Sequence, residues 1–347
     1  MASSPLHSAT PLDFDPNPGP PITPVQQIAA EIRRHTRFLV TSHARPDGDA
    51  VGSTLAMGSI LHRLGKQVDM VLADPVPQVY RTLPGISRVR QSSTVDAREY
   101  DLAIILECDG IARTGLQGMD GMRILNIDHH LTGVDFGALN WIEPDASAVA
   151  TMVFEVAVAL GVEVTPAIAT CLYTALMTDT GSFTYPGTSA ETFTLAHTLI
   201  DLGAKADSVA RDVLYSVSAA RIRLLGRALS RICIEGPVAW SWITQADLNE
   251  FDATDEDSEG TVNYLISIAG VEAALFLREL AGEELQFRTS LRSKSAIDVS
   301  SVASRLGGGG HRNAAGCTLS GPLESAVSLA LEAMRQQMNS AASGRVC

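Results

Sequence analysis

The sequence predicts an α/β protein: a parallel sheet with helices on both faces, then a helical connector, then a smaller mixed-sheet α/β unit. Three observations predict it. Short apolar runs alternate with segments of helical periodicity through roughly the first 200 residues. Runs such as "DLAIILECD" are apolar at successive positions, as strands buried on both faces are. Beyond about residue 235 the texture shifts to further strand-like runs and a closing helix.

Taken in order, residues 1–24 have neither a basic n-region nor an apolar h-region and read as a disordered leader rich in Pro, Ser and Asp. A first domain is expected over 25–212. In it "QQIAAEIRRH" is a helix, "RFLVTSH" a strand, and "AVGSTLAMGSILHRLG" a helix stopped by Gly65. "QVDMVLAD", "DLAIILECD" and "MRILNIDHH" complete four strands. The helices "SAVATMVFEVAVALG", "TPAIATCLYTALMTD" and "SAETFTLAHTLIDLG" follow. A connector helix is expected over 213–235, where "AARIRLLGRALSRICIEG" keeps Arg221, Arg223, Arg227 and Arg231 off its apolar face. The second domain, 236–340, holds the strands "PVAWSWIT", "EAALFLREL" and "LQFRTSLRS" and the helix "ESAVSLALEAMRQQM", leaving 341–347 as a tail. The acidic run "EFDATDEDSEG" reads as a solvated loop.

Composition narrows the function. At 347 residues the chain has room for about two domains. A net charge of −13 argues against a surface for long nucleic acid or anionic lipid, but not against a small anionic substrate in a locally positive cleft. The five cysteines form no CxxC pair, which suits a reducing, cytoplasmic setting. Cys108 sits at the end of an apolar strand and reads as packing. No apolar run approaches the ~18–20 residues of a membrane span.

In open parallel sheets ligands gather at the carboxyl ends of strands. The first strand is followed by His43, Asp47 and Asp49, the third by Asp109, and the fourth by Asp128, His129 and His130. Asp179 closes a helix in "ALMTDTGSF". Carboxylates and imidazoles without thiolates suit Mn²⁺, Mg²⁺, Fe²⁺ or Co²⁺. Six or more such donors exceed one ion's needs and suit two ions about 3.5–4 Å apart sharing a carboxylate. Singly, each has a plainer reading: an Asp47–Asp49 turn with Asp49 capping a helix, Asp109 as a cap, either histidine in the core. Together on one sheet edge they would be costly to leave unpaired.

"SHARPDGD", "ECDGIARTG", "IDHH" and "TDTGSF", in that order, resemble the four motifs of the DHH phosphoesterase family. "LRSKSAIDVSSVASRLGGGGHRNAAG" is similar to the family's accessory DHHA1 domain, and the resemblance spans about Val25 to Gln337. It implies a DHH catalytic domain and a DHHA1 substrate-binding domain. It implies that His43, Asp47 and Asp109 hold one metal and that Asp49, Asp109, His129 and Asp179 hold the other, with Asp109 bridging. His130 would face the phosphate, and Asp128 would orient an imidazole. The ions implied are two Mn²⁺, with Mg²⁺ or Co²⁺ as substitutes.

The second domain would grip substrate through the Gly307–Gly310 run, Gly308, Gly309 and Gly310 above all, whose backbone amides can approach an anion closely. His311, Arg292 and Lys294 would add donors and charge. Arg288 and Arg312 either clamp phosphates or face solvent, and Arg113 either contacts phosphate or fastens its loop. His35, His62 and His197 are given no role. The family branch resembled, bacterial oligoribonucleases that also dephosphorylate 3′-phosphoadenosine 5′-phosphate, implies hydrolysis of short oligoribonucleotides, linear dinucleotides such as pApA, and that bisphosphate. No long nucleic acid and no membrane are expected as partners, and a homodimer is left open. The alternatives are a family II-like inorganic pyrophosphatase, against which the "GGGGHRNAAG" loop speaks, and a catalytically silent nucleotide-binding regulator.

Overall fold

The computed structural model describes residues 22–130, 134–185, 187–294 and 297–343. Most of the expected leader, 1–21, and of the tail, 344–347, lies outside the described residues. Helix α1 (Pro24–Arg34) opens on a reciprocal cap: Thr23 accepts from the Gln26 N–H, and the Gln26 side chain accepts from the Thr23 N–H. Strand β1 (Arg37–Thr41) leads to α2 (Gly48–Arg63) and β2 (Gln67–Leu72). Then come β3 (Val89–Gln91), β4 (Leu102–Leu106), β5 (Ile124–Asp128) and β6 (Leu139–Ile142). Helices α3 (Val149–Leu160), α4 (Pro166–Asp179), α5 (Ala190–Asp201) and α6 (Ala206–Leu214) complete this part.

The six strands lie in the order β3-β2-β1-β4-β5-β6, and every pair is parallel. The expected parallel sheet is there, with two more strands than the apolar runs indicate. β3 and β6 are short and largely half-exposed or exposed, so neither shows a buried apolar run. β1 and β4 are neighbours although β2 and β3 intervene in sequence. The chain therefore reverses its winding direction there, which opens a crevice at the strand carboxyl ends. Against the sheet, α2 is buried along most of its length. A Cβ on Gly52 would lie 2.5 Å from the Cys171 carbonyl oxygen, and one on Gly48 2.2 Å from Thr178 Oγ1. Two glycines one turn apart thus let α2 press against α4, whose end carries Asp179.

The second part comprises α7 (Ala219–Ser230), β7 (Cys233–Glu235), β8 (Val238–Ile243), α8 (Gln245–Glu250), α9 (Thr261–Ile266), β9 (Ala273–Glu279) and β10 (Gln286–Ser293). It ends with α10 (Val299–Arg305), β11 (Gly309–His311), β12 (Ala314–Ser320) and α11 (Leu323–Ser343). Its strands run β11-β12-β10-β9-β8-β7, with β8–β9 parallel and the rest antiparallel: a mixed sheet, as expected. One core packs α10 and α11 on the sheet, and another packs α7, α8 and α9. No helix among the described residues is long and apolar enough to cross a membrane.

Two local expectations are corrected. The arginine-bearing helix does not run on through "ICIEG": it stops at Ser230, and Cys233–Glu235 pairs with β8 instead. β-branched Ile232 and Ile234 beside a cysteine favour strand once the apolar stripe has ended. Nor is the acidic run merely solvated. Asp257 accepts from the Ser218 hydroxyl (2.6 Å) and the Thr254 N–H (2.8 Å), Glu256 from the Gln78 N–H (3.1 Å), and Asp255 lies 2.5 Å from Arg278. These carboxylates join the start of α7 and the 78–80 turn because each finds a local N–H, hydroxyl or guanidinium donor.

Candidate metal centre

Each loop that leaves a central strand by its carboxyl end brings donors to the crevice. After β1, His43 is buried and donates Nδ1–H to the Ala44 carbonyl at 2.9 Å, which leaves Nε2 3.8 Å from Asp47 Oδ1. Asp47 also caps α2, accepting from the Ala50 N–H at 3.0 Å. Desolvation works against its charge, but His43 outweighs that and lowers the carboxyl to about 2. So it is Asp47, not Asp49, that caps this helix. Asp49, fully inside the protein, accepts from the Val149 N–H (2.6 Å), the Ala150 N–H (3.2 Å) and the Ser53 hydroxyl (2.6 Å).

After β5, Asp128 is buried and accepts from the His129 N–H (2.9 Å) and from His130 Nδ1 (2.7 Å). His129 donates its own Nδ1–H to the Ala146 carbonyl at 2.9 Å. Its Nε2 then stands 3.3 Å from Glu107 Oε1 and 3.3 Å from Asp179 Oδ2. The His130 Nε2 stands 3.7 Å from Glu107 Oε1. All three imidazoles of the motif loops are therefore fixed by Nδ1 and aim Nε2 at carboxylates, the arrangement that orients histidines toward a metal.

Glu107 is the residue that sequence reasoning missed. It is buried, and its Oε2 has no hydrogen-bond partner among the described residues. Its backbone is left-handed (φ 57°), uncommon for a residue other than glycine. Two sets of donor atoms lie within 4.8 Å of one another, Glu107–His129–His130 and Asp49–His129–Asp179, and they share His129. Burial and the Asp49 charge push the Glu107 carboxyl well above its ordinary range, and the same causes raise Asp179 to about 7. Burial alone would lower His129, but Glu107, Asp179 and Asp49 raise it to about 11. Three carboxylates crowded on one imidazole repel one another, and divalent cations would convert that repulsion into ligation. Hard oxygen and imidazole donors with a buried unpartnered carboxylate oxygen fit such ions. The sequence signal was faint but present: an acid closing an apolar strand in "AIILEC".

Not every expected residue joins this group. Asp109 turns to Arg113 (3.1 Å), and the Arg113 carbonyl accepts from the Ala44 N–H (2.7 Å), so this pair ties the loop after β4 to the loop bearing His43. Lys294 gives its ammonium to the Ile268 carbonyl (3.1 Å). Arg292 shares one face of β10 with Arg288, by the strand's alternating burial. The Arg288 guanidinium lies over Gly316, where a Cβ would come within 3.2 Å of it. Gly309 and Gly310 are strand residues of β11 paired with β12. A Cβ on Gly308 would collide with the Gly316 carbonyl at 2.1 Å, and Gly310 has φ 141°. The glycine run is therefore built for close approach of two backbones, and it stays exposed. The side chain of His311 lies outside what the structure describes. His35 and His197 contact their own helices, at the Glu31 carbonyl and Asp201.

Comparisons agree with this architecture. The chain matches the DHH family N-terminal domain over residues 37–176 and the DHHA1 domain over 236–340. It is 32% identical over 320 residues to the bifunctional oligoribonuclease and PAP phosphatase NrnA of Thermus thermophilus, covering 91% of this chain and 95% of that protein. An exopolyphosphatase-related protein from Bacteroides fragilis has a similar structure, with a TM-score of 0.82 at 28% identity over 90% of this chain and 96% of the other. RecJ of Thermus thermophilus in complex with Mn²⁺ shares the fold, with a TM-score of 0.56 at 14% identity over 94% of this chain and 56% of RecJ.

Proposed function

This chain is a hydrolase of the DHH family, and from that premise we propose that it is a two-metal phosphoesterase acting on very short nucleotides. One observation carries the proposal: His43, His129 and His130 are locked through Nδ1 with Nε2 aimed at carboxylates, among them the buried Glu107, whose Oε2 has no partner among the described residues. The substrate class, short oligoribonucleotides, linear dinucleotides such as pApA and 3′-phosphoadenosine 5′-phosphate, draws support from the 32%-identical oligoribonuclease and PAP phosphatase of Thermus thermophilus and from the net charge of −13.

His43 and Asp47 would hold one ion, and Asp49, His129 and Asp179 the other. Glu107 would be the shared donor, a role the family resemblance had implied for Asp109. Mn²⁺ or Mg²⁺ bound there would supply a water of lowered pKa and neutralise charge on the phosphoryl oxygens. The protein's own part is positioning. Asp128 fixes the His130 ring through Nδ1, leaving Nε2 at the cluster's edge to meet a phosphate oxygen. Asp109 and Arg113 hold the two loops together. Arg292, on the second sheet, would take a phosphate that is not being cleaved.

The test is purified protein with Mn²⁺ and four substrates: pApA, 3′-phosphoadenosine 5′-phosphate, a 24-mer RNA and pyrophosphate. AMP from pApA, abolished in Asp179→Asn, is the expected result. Hydrolysis of pyrophosphate alone would replace the proposal with a pyrophosphatase. Metal binding without turnover of any of the four would leave a nucleotide-binding regulator.

A further inference from the structure

The turn after Asp179 has a backbone that the chemistry above does not explain. Gly181, Ser182 and Phe183 are all left-handed, with φ of 56°, 58° and 65°. Glycine adopts this freely, but serine and phenylalanine do so at a cost, and side by side they are rare. The turn is held on both sides. Thr180 Oγ1 accepts from the Phe183 N–H (3.1 Å), and the Thr180 carbonyl accepts from the N–H groups of Thr184 and Tyr185 (both 3.0 Å). The Phe183 ring stacks on Phe193 at 5.5 Å between centroids.

What this arrangement delivers is Tyr185. Its ring lies directly over Gly181: a Cβ there would fall 2.4 to 2.7 Å from Cε1, Cζ and Cδ1. One side of the ring is thus backed by the backbone two residues beyond Asp179, while the side chain stays 48% exposed. A supported, half-exposed aromatic six residues beyond an acid of the carboxylate–imidazole cluster is the layout of a stacking platform, and stacking tolerates any base.

We propose that Tyr185 is the platform on which a nucleobase of the substrate stacks, seating the adjoining phosphate at the carboxylate–imidazole cluster. This rests on the short-nucleotide assignment and adds to it how a nucleotide is told from other phosphoesters. The platform selects for the presence of a base rather than its identity.

Calorimetric titration of the Mn²⁺-loaded protein with AMP and with ribose 5-phosphate isolates the base. The expected wild-type preference for AMP is about 5- to 150-fold. Tyr185→Leu should bring that ratio near one and raise the KM for pApA far more than it lowers kcat, while Tyr185→Trp should preserve both. Matching melting temperatures for the three proteins would exclude a folding defect. A wild-type ratio near one, or an unchanged ratio in Tyr185→Leu, overturns the platform. Failure of the wild type to hydrolyse pApA would instead overturn the short-nucleotide assignment itself.

Discussion

Glu107→Gln separates two roles that most substitutions in this cluster would confuse. Glutamine keeps the shape of the side chain and removes its charge. Without metal, two opposed effects act on Glu107: burial and the Asp49 and Asp179 charges work against its carboxylate, while the His129 imidazole 3.3 Å away favours it. Losing the charge relieves the repulsion but forfeits the pairing with His129, so the metal-free variant should melt close to the wild-type temperature. With metal the loss is one-sided. Loss of an outer partner of a metal ligand weakens binding about 10- to 100-fold, and loss of a shared ligand should cost at least the upper figure. At a free Mn²⁺ concentration 100 times the wild-type Kd, binding stabilises the native state by about 2.7 kcal/mol. A Kd 100-fold weaker leaves only about 0.4 kcal/mol. The difference, about 2.3 kcal/mol, corresponds to roughly 5–9 °C of metal-induced melting shift for a domain of this size. Thermal melts of both proteins with and without Mn²⁺ measure it, with Asp109→Asn alongside. If Glu107→Gln retains the full metal shift while Asp109→Asn loses it, the reasoning from donor geometry is wrong and Asp109 is the bridge.

Three further outcomes follow from the packing and the charges. Asp247, 3% exposed at its side chain, accepts from Arg227, Arg231 and Thr244, so Asp247→Ala should cost about 2–4 kcal/mol by denaturant titration, and a neutral result would refute the buried network. Gly52→Ala should destabilise by about 1–3 kcal/mol, because its methyl meets the Cys171 carbonyl and Ala175; a gain from helix propensity would show that α2 and α4 can part freely. The metal-free protein should lose stability as pH rises from about 4 to 8. Asp179, raised to about 7, binds a proton in the native state that the unfolded chain has already lost, and His129, raised to about 11, keeps its proton past the unfolded pKa of 6.5. Saturating Mn²⁺ should flatten or invert that slope in melts taken across the range, and a metal-free optimum at pH 8 would contradict it.

The sheet was legible because its central strands are short apolar runs ended by polar residues, and because ligands collect where such strands end. The edge strands were not, since three or four half-exposed residues leave no pattern to read. The glycine run was assigned to anion binding on its chemistry, but its tight fit against β12 depends on a strand pairing that no local signal encodes. Glu107 and Asp109 illustrate the limit most clearly. Two residues apart, they look equivalent in "ECDG", and the family resemblance was carried onto Asp109. The left-handed backbone at Glu107 turns the chain as it leaves β4, so Glu107 faces His129 while Asp109 swings out to Arg113. A φ angle decided which acid enters the cluster.

The same economy appears at Asp49, and it constrains how the site should be probed. Helix α3 begins after Ala148, which has no side chain to satisfy the first helical N–H groups. Asp49 supplies that cap from α2, accepting from Val149 and Ala150 across 100 residues of sequence. The positive end of α3 in turn favours a negative charge at this point. A carboxylate that both caps a helix and offers itself to a cation ties the fold of α2 and α3 to the chemistry of the cluster. Asp49→Ala would thus unseat α3 and remove a ligand together, and loss of activity in that variant would say nothing about metal binding. Glu107 has no capping duty and one oxygen without a partner among the described residues, so its removal leaves the helix ends intact and reads on the imidazole–metal cluster itself.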